Sequence, residues 1–98
     1  IVAAVNLLVQ SKGGVSLVSE SYQSVLELPV GGLMSNLDGY KIADEYELLD
    51  KRSKELGSQL GAPYMTLSFM ALLVIPKLKL SDRGLFDGEA FQFTSVLV

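Results

Sequence analysis

The 98-residue sequence predicts an α+β fold: an antiparallel-leaning sheet of about four strands with two helices packed on one face. Three observations lead there. Residues 38–57 carry a clear helical periodicity, several short β-leaning runs are separated by turn residues, and the composition is that of a folded domain. Hydrophobic residues make up 49% and charged residues 19%, well away from the low-hydropathy, high-charge signature of disorder. A chain of this length forms one domain, read as residues 1–98, and can bury roughly 65% of its unfolded surface.

The first element is a helix. In "IVAAVNLLVQSKGG", Ile1, Ala4, Val5 and Leu8 recur at helical spacing, and Gly13-Gly14 offers the left-handed stop that ends helices. The runs "VSLVSE" (15–20) and "SVLEL" (24–28) then read as a hairpin turned at Ser21, Tyr22 and Gln23. Pro29 stops the pairing because it has no N–H to donate. "VGGLMSNLDG" (30–39) reads as a glycine-rich connection, with Asn36 or Asp38 as the cap of the next helix.

"DGYKIADEYELLDKRSKELG" (38–57) is the clearest helix. Ile42, Tyr46, Leu49, Ser53 and Leu56 follow a 4-3-4-3 spacing that lays them on one face. Asp50 and Lys54 stand four apart on the opposite, solvated side. Beyond the "GSQLGAP" connection lies "PYMTLSFMALLVIPKLKLSD" (63–82), uncharged for eleven residues from Met65 to Ile75. A spanning helix needs about 20 apolar residues, so the run is too short to cross a membrane. Its periodicity favours neither helix nor strand, and we expect a buried element, a strand for part of its length. "LSDRGLFDGE" (80–89) is rich in turn residues, and "AFQFTSVLV" (90–98) alternates as a last strand.

Charge and composition exclude several function classes. A net charge of −3 argues against nucleic acid, since Lys77 and Lys79 are too few to displace a counterion atmosphere. The chain has no cysteine and no histidine. Disulfides, thiolate catalysis and Cys-type zinc sites are therefore excluded, and a cytoplasmic location fits. With no His, the commonest general base near neutral pH and the commonest metal ligand are both missing. The chain opens on Ile1 inside an apolar pattern with no capping residue ahead of it. We expect a fragment of a longer protein, or a chain whose first residues are missing.

Individual residues add little chemistry of their own. Asp82, Asp87 and Glu89 cluster in sequence, yet "DRGLFDGE" lacks the order of a calcium loop, and turn formation accounts for them. Ser35, Thr66 and Ser68 have no His to activate them as nucleophiles. Ser68, inside an apolar run, is expected to satisfy its hydroxyl on a backbone carbonyl or to face a ligand. Met34, Met65 and Met70 read as core filler.

Two segments read together carry a resemblance. "LELPVGGLMS" (26–35) and "PYMTLSFMALLVIPKLKLSDRGLFD" (63–87) closely resemble the C-terminal region of the bacterial adenine deaminases of the amidohydrolase superfamily. The opening "AAVN" ahead of a Gly-Gly turn matches as well. Leu73 stands where that family often has Pro, and Gly31 where another small residue is common.

The resemblance implies an accessory C-terminal domain whose full-length form hydrolyses adenine to hypoxanthine and ammonia. Metal-activated water would attack the ring carbon bearing the amino group. It implies no catalytic residue and no metal ligand in this chain. Mn, Fe or Zn is implied for the full-length enzyme, held in a catalytic barrel that would be this domain's partner, and the chain alone is expected to be inactive. Homo-oligomers are a further expectation, with no nucleic acid and no membrane as partners. Met34, Ser35, Thr66 and Ser68 are the candidates for the substrate side. The alternative from another class is a free-standing α+β domain that binds a small molecule or another protein.

Overall fold

The computed structural model describes residues 1–97, and the chain divides into two compact units, Ile1–Gly61 and Ala62–Val98. The first unit holds α1 (Val2–Ser11), β1 (Gly14–Val18), β2 (Gln23–Glu27) and α2 (Gly39–Glu55). The second holds α3 (Pro63–Met70), β3 (Leu78–Ser81), β4 (Gly84–Asp87) and β5 (Gln92–Thr94). The α+β class stands. The strands form two small antiparallel sheets, β1-β2 and β3-β4-β5, where the sequence suggested one sheet of about four.

In the first unit the hairpin pairs Val15 with Leu26, Ser16 with Val25 and Leu17 with Ser24. The hairpin turns through Ser19, whose hydroxyl accepts from the Tyr22 N–H at 3.0 Å. Paired residues share a face, and faces alternate along each strand. One face carries Ser16 and Glu27. Ser16 Oγ donates to the Ala4 carbonyl at 3.0 Å and Ser11 Oγ donates to Glu27 Oε1 at 3.4 Å, so α1 lies there. The other face carries Leu17, Ser24 and Leu26, and α2 covers it through Leu48 and Leu49. The two helices thus take opposite faces of the hairpin. Every residue of β1 is partly covered, as a strand shielded on both sides must be.

The helix faces follow from these contacts. On α2, Leu49 and Ser53 are buried and Ile42 and Tyr46 half-buried, the stripe that the 4-3-4-3 spacing predicts. Leu56 alone of that stripe is exposed, because the helix has already ended. Asp38 is the cap: its Oδ1 accepts from the backbone N–H groups of Tyr40 at 3.0 Å and Lys41 at 3.3 Å. On α1 the inward residues are Ala4, Leu7 and Leu8, while Ile1 and Val5 are exposed. Nearly every side of that helix is apolar, so periodicity could not choose its face; the bond from Ser16 does. Its left-handed stop is Lys12, one residue earlier than the glycines. Lys12 N–H donates to Val9 and Gly13 N–H to Leu8, a Schellman ending.

The second unit corrects the expectation for residues 63–75. The run opens as a helix, α3, with Pro63 at its first position, and most of its side chains are exposed. Pro there forfeits an N–H that no helix start can use. The turn-rich segment 80–89 folds into a hairpin, closed at Ser81 and Gly84, with Ser81 Oγ donating to the Gly84 carbonyl at 2.9 Å. The last strand is shorter than the alternation of 90–98 suggests, spanning Gln92–Thr94; Val98 lies outside the described residues. The core of this unit is Phe86, with Phe91 and Phe93 edge-on to it at 5.5 and 5.3 Å between ring centroids.

Candidate functional site

The four candidate residues divide between the two units. Met34 and Ser35 lie at the end of a tight loop in which Val30 and Met34 bridge antiparallel, Val30 N–H donating to the Met34 carbonyl at 2.9 Å. Gly31 and Gly32 make that loop with φ of 64° and 75°. Both glycines occupy left-handed backbone that a side chain would strain. Met34 is exposed, and the Ser35 hydroxyl accepts from the Leu37 N–H at 3.1 Å, closing a local turn.

Thr66 and Ser68 lie on α3, and both are exposed. Thr66 Oγ1 donates to the Ala62 carbonyl at 3.0 Å, and Ser68 Oγ donates to the Met65 carbonyl at 2.7 Å. The expectation that Ser68 satisfies itself on backbone is met within its own helix. Each hydroxyl keeps lone pairs for accepting, but its proton is engaged, so neither is poised as a nucleophile.

A cavity of about 260 Å³ opens between β2 and α2, lined by Ser24, Val25, Leu26, Glu45, Leu48 and Leu49. One carboxylate and one hydroxyl over an apolar floor can hydrogen-bond a small polar molecule. They do not make an acid–base pair. Nearby, the Arg52 guanidinium sits 5.3 Å from the Tyr22 ring centroid and donates to Glu55 Oε2 at 2.8 Å, which pins it to the surface of α2.

Metal chemistry finds no ligand set among the described residues: no group of three or more His, Cys, Asp or Glu could hold an ion. Asp87 shows what the loop carboxylates do, its Oδ1 accepting from the Glu89 and Ala90 N–H groups at 2.9 and 3.0 Å. It is a turn former. No helix among the described residues is long and apolar enough to cross a membrane.

Two small units of helices and antiparallel strands make up this α+β chain. The chain belongs to the adenine deaminase C-terminal domain family, whose sequence model matches residues 1–92. It is 54% identical over 94 residues to an adenine deaminase of Sulfurovum sp. (strain NBC37-1), an alignment covering 95% of this chain and 18% of that protein. It is 51% identical over 98 residues to that of Methanosarcina acetivorans, covering 98% of this chain and 17% of the relative. With the adenine deaminase of Salinibacter ruber it shares 54% identity over 96 residues, 97% of this chain and 17% of the relative. The chain thus spans about a sixth of the length of these relatives. No solved structure matches it.

Periodicity leaves residues 63–75 between helix and strand; the signal in the sequence that favours α3 is "APYMT", where Pro63 marks a helix start.

Proposed function

We propose that residues 1–98 act as the accessory C-terminal domain of a metal-dependent adenine deaminase, which converts adenine and water to hypoxanthine and ammonia. The observation that carries this reading is identity of about one residue in two to proteins named adenine deaminase, across nearly the whole chain. The composition supports it from the other side, because a chain without His or Cys leaves the metal and the acid–base groups to the remaining five-sixths of such a protein. Mn, Fe or Zn is the metal we assign to that part. A metal ion there supplies activated water. This chain's own contribution is to pack against the catalytic barrel. Met34, Ser35, Thr66 and Ser68 are the side chains we assign to the substrate side, the hydroxyls as hydrogen-bond acceptors.

The test compares this chain with the full-length polypeptide, each supplied with Mn²⁺, Fe²⁺ or Zn²⁺, for ammonia release from adenine. Turnover is expected only from the full-length polypeptide. Turnover by residues 1–98 alone would place the chemistry here and sink the accessory role; no turnover by either would remove adenine as the substrate.

A further inference from the structure

Helix α3 is apolar on every side, a pattern that belongs to buried helices. Yet it is open: Met65 is 52% exposed, Leu67 60%, Phe69 50% and Met70 62%. The exposed apolar surface continues through Leu72 and Val74, with no charge between Met65 and Ile75. An uncharged run of exposed apolar side chains around one short helix points to an interaction site.

The polar side chains of the helix core are already prepared for such a site. Thr66 and Ser68 each donate to a carbonyl of their own helix, at 3.0 and 2.7 Å. Covering α3 would therefore strand neither hydroxyl proton, and the usual cost of burying an unpaired donor does not arise.

We propose that α3 is a docking helix, and that its occupant is an uncharged, apolar surface of the same polypeptide outside residues 1–98. This rests on the accessory-domain reading above. The occupant follows from two observations: the neutral surface offers nothing to a charged partner, and the relatives carry about five-sixths of their length outside the matched region. On this view Leu67 and Phe69 are interface residues, and Thr66 and Ser68 face the catalytic part at its boundary.

The experiment uses the full-length polypeptide. Leu67→Cys and Phe69→Cys are labelled with a maleimide under native conditions, and Glu47→Cys on the exposed side of α2 serves as the reference. Rates are normalised to the unfolded protein. Both α3 cysteines are expected to label about tenfold more slowly than position 47, or slower still. Labelling at the reference rate would overturn the proposal. A benzophenone amino acid at position 67 then identifies the occupant by mass spectrometry. Cross-links to peptides outside residues 1–98 of the same molecule are expected; cross-links confined to residues 1–98, or joining two copies, would overturn it. Adenine turnover is scored separately on the unmodified protein, so loss of the deaminase reading and loss of the docking helix are told apart.

Discussion

Gly13 and Gly32 meet backbone to backbone: a Cβ built on Gly13 would lie 2.5 Å from the Gly32 Cα. The contact ties the end of α1 to the loop that carries Met34 and Ser35. Gly13 also has φ of 124°, where a side chain is strained whatever the space. Gly13→Ala is expected to destabilise the first unit by about 2 kcal/mol or more. Gly32→Ala, with φ of 75° and nothing closer than 3.7 Å, should cost about 1 kcal/mol. Urea titrations followed by circular dichroism check the order; a larger loss at Gly32 would contradict the close packing.

Leu49 is 2% exposed and its sequence neighbour Leu48 is 48% exposed. Leu49→Ala is expected to cost about 2–5 kcal/mol, through lost burial and the void left against Leu26. Leu48→Ala, at a side chain only half covered, should cost clearly less, about 1 kcal/mol. Thermal unfolding of the two variants side by side decides it, and equal shifts would mean that α2 is turned differently on the hairpin.

The cap at Asp38 can be separated from its charge. Asp38→Ala removes the acceptor for two N–H groups and should cost about 1 kcal/mol, whereas Asp38→Asn keeps the acceptor and should recover most of it. Helical ellipticity at intermediate urea reads the difference. An Asn variant as weak as the Ala variant would show that charge, not capping, is what matters at this position.

Phe86 anchors the three-stranded sheet through two edge-on rings. Phe86→Ala is expected to cost about 3–5 kcal/mol and to release the amides of β3, β4 and β5 to hydrogen exchange together. Phe86→Leu keeps most of the volume and should lose about 1 kcal/mol of ring–ring interaction. Retained protection in the Ala variant would place the core of this unit elsewhere.

The contrast between α2 and α3 shows what a sequence can reveal on its own. Ile42, Tyr46, Leu49 and Ser53 stand out because charged residues fill the positions between them, so the face is legible and the cap is narrowed to Asn36 or Asp38, between which the structure chooses Asp38. Residues 65–75 have no such contrast. Where every direction is apolar, neither the 3.6 nor the 2.0 period leaves a mark, and the segment reads as interior whatever its backbone does. Hydropathy reports that such a surface belongs under cover, not which part of a protein supplies the cover. The four candidate residues Met34, Ser35, Thr66 and Ser68 come from motifs alone, and the hydrogen bonds that Ser35, Thr66 and Ser68 make to Leu37, Ala62 and Met65 depend on turns and helix ends that no spacing encodes.

In the first unit, α1 packs on β1, β1 pairs with β2, and β2 receives α2. Each layer meets the one made just before it. Few wide loops must close before contacts begin to reward the chain, and such local wiring favours fast folding. Emerging from a ribosome in order, this half can assemble as each segment appears, its early helix held by the Ser16 hydroxyl before α2 has been synthesised.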